Sequence, residues 1–125
     1  MKKELFDNNP ILKLSFDFAL MVIEYCETLD VEKKYIISRQ LLKSGTSIGA
    51  NAMEAQNGES KADFIHKMKI ALKELRETRI NLRIILEKPI CTQEPILSAF
   101  KEVNELIAIF TVSIATAKRN TASKT

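Results

Sequence analysis

Apolar residues recur along this chain at alternating intervals of three and four positions in four successive segments. That interval places them on one face of a helix, so the pattern predicts four amphipathic helices. The third segment is the clearest, and its recurring positions are Phe64, Met68, Ala71, Leu75, Thr78, Leu82 and Ile85. No segment shows the apolar and polar alternation of a half-buried strand. The sequence therefore predicts an all-α protein.

Residues that start or end helices separate the four segments. They are Asn8, Asn9 and Pro10 before the first helix, residues 30–34 after it, Asn57 and Gly58 after the second, Ser60 and Asp63 before the third, Pro89 after it, and Thr92 and Pro95 at the start of the fourth. Helices joined by such short links pack antiparallel, which predicts an up-down-up-down four-helix bundle over residues 1–118. The small polar residues 119–125 are predicted to form a disordered tail.

The second helix combines an apolar stripe with a neighbouring stripe of minimal side chains. The apolar stripe consists of Ile37, Leu41, Ser44, Ile48, Ala52 and Ala55, and the minimal one of Gly45, Gly49 and Ala52. A glycine inside a helix costs about 1 kcal/mol relative to alanine. Because the helical period continues through both glycines, we predict that another helix packs closely against Gly45, Gly49 and Ala52.

Length and composition set the class of protein. A chain of 125 residues with 46% hydrophobic and 28% charged residues is expected to form one globular domain. No apolar stretch approaches the roughly 18 residues that a membrane span requires, and the N-terminus lacks an apolar signal region. We therefore expect a cytoplasmic protein without a membrane partner.

The sequence offers no catalytic or metal-binding arrangement. Residues 43–46 have the composition of a phosphate loop, but the order is wrong and they lie within a helical pattern. His66 is the only histidine, which excludes the paired Glu-x-x-His motifs of a di-iron bundle and favours an exposed helix position. Cys26 and Cys91 lack metal-ligand spacing and are interpreted as buried hydrophobic residues. We predict no enzyme activity, no catalytic residue, no metal and no cofactor.

Charge is distributed unevenly along the chain. Residues 1–31 contain six acidic and three basic residues, whereas residues 61–91 contain eight basic and four acidic ones. On the third helix the cations form a cationic stripe, which consists of Lys69, Lys73, Arg76, Arg79 and Arg83. The stripe has three interpretations. It is a solvated helix face, a surface that binds the RNA or DNA backbone, or a contact with the acidic first helix of a neighbouring subunit in a ring.

Apolar residues outside the main stripes suggest self-association. Phe16 and Ile23 on the first helix and Ile80 and Ile84 on the third lie beside the faces that the core requires. Monomeric proteins seldom expose that much apolar surface. A homo-oligomer is therefore expected.

Residues 44–85 resemble a known family. The segments that carry the resemblance are 44–52, 54–56, 60–65, 69–74 and 76–78. They are similar to the bacterial four-helix-bundle proteins first noticed as reading frames in intervening sequences of 23S ribosomal RNA genes, a group that includes the accessory variability determinants of diversity-generating retroelements. The resemblance implies a ring-shaped homopentamer without established enzymatic activity. It also implies, for the retroelement members, contacts with a reverse transcriptase and with nucleic acid.

The chain departs from the family pattern directly after Thr78. It has Arg79, Ile80 and Asn81 where members of its apparent subgroup carry an acidic residue followed by aromatic ones. This change adds a charge to the cationic stripe and removes aromatic contact area. The leading hypothesis is a nucleic-acid-associated homo-oligomer, and the alternative is a protein scaffold whose stripe is used in subunit contacts.

Overall fold

The computed structural model describes residues 8–88 and 93–122, and within them the chain forms four α-helices. They are α1 (Pro10–Val31), α2 (Tyr35–Gln56), α3 (Lys61–Glu87) and α4 (Gln93–Ala122). Each helix packs against the next one in the chain, and α4 also packs against α1. The short links require consecutive helices to run antiparallel. The predicted all-α, up-down-up-down four-helix bundle is therefore confirmed.

Side-chain caps define the first turns of α1 and α3. The Asn9 Oδ1 atom accepts hydrogen bonds from the backbone N–H groups of Ile11 at 3.1 Å and Leu12 at 3.3 Å. The Ser60 hydroxyl accepts one from the N–H of Asp63 at 3.1 Å, and the Asp63 carboxylate lies in the first turn, where the helix dipole favours negative charge. These helices therefore begin where the sequence predicted. Pro89 and Thr92 lie outside the described residues.

The link between α1 and α2 is a tight turn of three residues. Lys33 has a positive φ of 63°, which is uncommon for a residue other than glycine. The N–H of Lys34 donates to the carbonyl of Leu29 at 2.9 Å and so satisfies a free carbonyl at the end of α1. This turn brings α2 back alongside α1.

α4 extends further toward the C-terminus than predicted. α4 continues to Ala122, so residues 119–122 are helical, although they were predicted to belong to a disordered tail. Polar composition alone does not end a helix, and no glycine or proline follows Pro95 in this helix. Arg119 also lies in the last turn, where the helix dipole favours positive charge. Residues 123–125 lie outside the described residues.

The four apolar stripes meet in one core. Its largest fully buried side chains are Phe18, Phe110, Leu12, Leu29, Leu41, Ile48, Met68, Leu75, Leu82, Ile85, Ile96 and Leu106. Complete burial of such a side chain stabilises the fold by about 1.5–3 kcal/mol. The predicted stripe of α3 is buried except at its first position, where Phe64 is partly buried against the core. None of the described helices combines the length and apolar character needed to cross a lipid bilayer.

Candidate nucleic-acid interface

The two glycines within α2 face α1. A Cβ atom placed on Gly45 would lie 2.8 Å from Cγ1 of Val22 and 2.9 Å from its Cγ2, which is closer than real Cβ contacts. At Gly49 the nearest atom is the Ser15 Cβ at 3.9 Å, an ordinary van der Waals distance. Ala52 is fully buried. The closest approach of α1 and α2 on this stripe is therefore at Gly45, and Gly49 has room for a methyl group.

Hydroxyl and thiol groups tie the first three helices together inside the bundle. The Thr78 hydroxyl on α3 lies 2.8 Å from both the Ser44 hydroxyl on α2 and the carbonyl of Glu74. Between α1 and α2, the Ser38 hydroxyl donates to the carbonyl of Cys26 and the Cys26 thiol donates to the carbonyl of Ser38, both at 3.3 Å. These polar groups have structural partners and do not form a catalytic arrangement.

Of the two cysteines, only Cys26 lies within the described residues, and it is buried. Burial raises the pKa of the Cys26 thiol, so this residue stays protonated near neutral pH and is a poor nucleophile. Cys91 lies outside the described residues. Cys26 therefore behaves as the small buried residue that the sequence predicted.

The cationic stripe lies beside the buried stripe of α3, on the side of the helix that faces α4. Lys69, Lys73, Arg76 and Arg83 are exposed, and Arg79 is half-buried. The structure thus presents all five residues along one outer face of the helix. Their surroundings differ, however, between the two halves of α3.

Toward the C-terminal end of α3, Arg79 and Arg83 have partners. Arg79 donates from Nη1 to the Asn104 Oδ1 on α4 at 3.2 Å. Arg83 forms an ion pair at 3.3 Å with Glu87, which lies one turn later on the same helix. Lys73 and Glu77 have the same spacing but form no ion pair among the described residues. A lysine on an adjacent face, Lys67, instead pairs with Glu54 of α2 at 3.0 Å.

The first three residues of the stripe keep their charge, and a residue of α4 joins them. Lys69, Lys73 and Arg76 make no ion pair with any described carboxylate. The positive charge of nearby Lys69 lowers the pKa of Lys118, which is exposed in the last turns of α4. We call Lys69, Lys73, Arg76 and Lys118 the free cationic cluster. Lys118 was not among the predicted residues of the cationic stripe. Antiparallel pairing of α3 and α4 places it beside the N-terminal part of α3.

A shallow groove of mixed charge follows the contact between α2 and α3. Gln40, Lys43, Glu74 and Glu77 lie along it. Partial burial, followed by repulsion from Glu77, raises the pKa of the Glu74 carboxyl. No nucleophile is paired with this carboxyl in the groove.

Histidine, cysteine and carboxylate side chains do not converge on a metal site in the described chain. No three of them lie close enough to hold an ion within residues 8–88 and 93–122. His66 is exposed, as expected from its position on the helix. The exposed lysines and arginines of α3 are side chains that can attract anions.

These features define a four-helix bundle whose third helix presents a cationic outer face. The sequence model of the 23S rRNA-intervening sequence proteins matches residues 7–111, and the chain belongs to that family. No curated protein matches the chain.

A similar solved structure supports the same assignment. It is the 1.70 Å crystal structure of a protein of unknown function from the S23 ribosomal protein family of Bacteroides thetaiotaomicron VPI-5482. The two proteins are 36% identical, with a TM-score of 0.80 over 83% of this chain and 97% of the other. Nearly the entire length of the relative therefore has the same four-helix bundle as this chain.

Proposed function

We propose that this protein is a non-enzymatic, homo-oligomeric accessory protein of the cytoplasm that holds the backbone of RNA or DNA on the free cationic cluster. The resemblance to the family implies a pentamer. The observation that carries the proposal is this cluster, because its three members on α3 are exposed and form no ion pair with a described carboxylate.

Phosphate binding by such a cluster depends on counterion release. Each phosphate that a lysine or arginine neutralises releases condensed cations, so the affinity falls as salt rises. The cluster includes no aromatic side chain on which a base could stack. Binding through these residues is therefore expected to be insensitive to base sequence and strongly dependent on salt.

The test compares two triple variants with the same change in charge. In the first, Lys69, Lys73 and Arg76 are replaced by alanine. In the control, Lys13, Lys34 and Arg39 are replaced by alanine, all of which are exposed and belong neither to α3 nor to α4. Binding of single-stranded and duplex RNA and DNA is measured by fluorescence anisotropy over a series of salt concentrations.

We expect the cluster variant to bind more weakly and to lower the slope of log affinity against log salt by about 2–3. The control should keep most of the wild-type slope, because its residues lie away from the stripe. Absence of binding at low salt would overturn the proposal. An equal loss in both variants would instead indicate a general effect of net charge.

A protein scaffold is the second candidate, and exposed apolar residues favour it. Ile80 is 59% exposed and Ile84 is 47% exposed, beside Arg79 and Arg83. Under this alternative the whole stripe is buried between subunits. Arg76→Glu would then reduce the oligomer mass, whereas under the nucleic-acid proposal it would lower RNA or DNA affinity and leave the mass unchanged.

A further inference from the structure

We propose that the outer face of α1 in one copy of this chain docks onto the C-terminal half of α3 in a second copy. The α1 face consists of Phe16, Leu20 and Ile23 with Glu24 and Glu27. The α3 face consists of Ile80 and Ile84 with Arg79 and Arg83. This inference rests on the proposed homo-oligomer and assigns the two surfaces that join its subunits.

Apolar exposure is the first observation behind these faces. Phe16 is 47%, Leu20 51% and Ile23 38% exposed, at spacings of four and three that keep them on one side of α1. On α3, Ile80 and Ile84 are one turn apart and exposed to a similar extent. Covering both faces would remove five large apolar side chains from water, at about 25 cal/mol for each Å² buried.

The charges of the two helices indicate that the α1 face binds the α3 face of another copy. Along α1 there are four carboxylates and one lysine, and along α3 there are seven cations and four carboxylates. Pairing α1 with another α1 would oppose carboxylates, and pairing α3 with another α3 would oppose cations. Like charges across an interface are disfavoured, whereas Glu24 and Glu27 complement Arg79 and Arg83. The two different faces are therefore partners.

Within one copy, the α1 face and the α3 face cannot cover each other. α1 packs against α2 and α4 but not against α3 within the described chain, and both helices turn their buried stripes toward the common core. Each copy consequently offers one α1 face and one α3 face to its neighbours. Such a head-to-tail contact propagates into a closed ring or an open filament.

Along α3, the docking surface follows the residues of the free cationic cluster. Lys69 and Lys73 lie about two to four turns before Ile80 and Ile84, and Lys69 is near Lys118 of α4. A neighbour seated on the C-terminal half would therefore leave these lysines open. Oligomerisation and nucleic-acid binding can be separated by mutation for this reason.

The experiment uses two variants that each block one face. Leu20→Lys places a cation in the α1 face, where it would oppose Arg79 and Arg83 of the neighbour, and leaves the α3 face intact. Ile84→Asp places a carboxylate in the α3 face, where it would oppose Glu24 and Glu27 of the neighbour, and leaves the α1 face intact. Molar mass is measured by light scattering after size exclusion, for each variant and for their equimolar mixture. Each variant alone should have the mass of one chain, 14.2 kDa. The mixture should have twice that mass, because the intact α3 face of one variant binds the intact α1 face of the other.

Val112→Asp is the matched control, because Val112 is 63% exposed on α4, outside both faces. It should keep the wild-type mass. Circular dichroism verifies folding, and Leu20→Ser with Ile84→Ser gives a milder pair should either charged substitution unfold the bundle. A wild-type monomer would overturn both the proposed homo-oligomer and this interface. A wild-type oligomer that survives either block, or blocked variants that fail to combine, would overturn the interface alone.

Discussion

The inner face of α2 and the outer face of α3 follow the same helical spacing in opposite surroundings. On α2, Gly45 lies so close to Val22 that a single added carbon would collide, and Ser44 is bonded to Thr78 of α3. On α3, Lys73 and Arg76 are exposed, without an ion-pair partner among the described residues. The side chains of the first face are held in place by close contacts, whereas the cations of the second face extend into water.

This contrast separates stability from interaction. Substitutions on the inner face of α2 change packing distances of a few tenths of an ångström, to which a close-packed interior is sensitive. Substitutions on the outer face of α3 change charge in water, where single residues contribute little to folding. The inner face should therefore respond in unfolding experiments and the outer face in binding experiments.

The largest expected effect separates the two glycines of α2. Gly45→Ala should destabilise the protein by about 1–3 kcal/mol, because the methyl group would meet Val22, whose branched side chain has few alternative rotamers. Gly49→Ala should stabilise it by up to about 1 kcal/mol through helix propensity, because its nearest neighbour is 3.9 Å away. Urea unfolding of the two variants measures both changes.

These glycines serve as controls for one another. The substitution, the helix and the change in propensity are the same, so the difference between the variants isolates the contact with Val22. Equal stabilisation by both alanines would contradict the close approach at Gly45. A Gly45→Ala, Val22→Ala double variant should recover part of the loss, since the two sites are coupled through this contact.

An intermediate effect is expected where a buried hydroxyl pair is broken. Thr78→Val keeps the shape of the side chain but removes the bond to Ser44, which should cost about 1–2 kcal/mol. Arg76→Ala, two residues earlier on the outer face, should change the free energy of unfolding by less than about 0.5 kcal/mol. Thermal or urea unfolding of both variants tests the comparison within one helix. Comparable losses from the two would contradict it.

The smallest effect concerns Glu74, at the edge between the two faces. Its pKa is raised by partial burial and then by repulsion from Glu77, so its charged form is less favourable in the folded protein than in the unfolded chain. Stability is consequently lost as pH rises through that raised pKa. Glu74→Gln should be more stable than the wild type at pH 7, and the difference should vanish near pH 3, where both side chains are neutral.

Urea unfolding at the two pH values measures this difference, with Glu102→Gln on α4 as the control. A stabilisation that persists unchanged at low pH would mean that the glutamine acts through something other than charge. An absence of stabilisation at pH 7 would show that Lys43 and Lys73, which lower the pKa of Glu74, outweigh its burial.

Much of the fold could be predicted from the sequence because it depends on local patterns. Caps such as Asn9 and Ser60 and the spacing of Met68, Leu75 and Leu82 act over a few residues, and each appears in the structure where the pattern placed it. The end of α4 was missed, since a polar composition is compatible with both helix and coil. The sequence could not show that Gly45 is in tight contact and Gly49 has room for a methyl group, because identical residues one turn apart predict the same packing.

The sequence by itself determined the four helices, their antiparallel order, the buried stripes and the family of this protein. The helices, their order and the buried stripes follow from periodicity, helix caps and short links, all of which act between neighbours in the chain. The family follows instead from the residues of particular segments within 44–78, which resemble those of its members. Only the tertiary structure decided that Lys118 joins Lys69, that Arg79 bonds to Asn104, and that Val22 fills the space opposite Gly45. These contacts join residues far apart in sequence, and they form only when packing sets the rotation of each helix about its own axis.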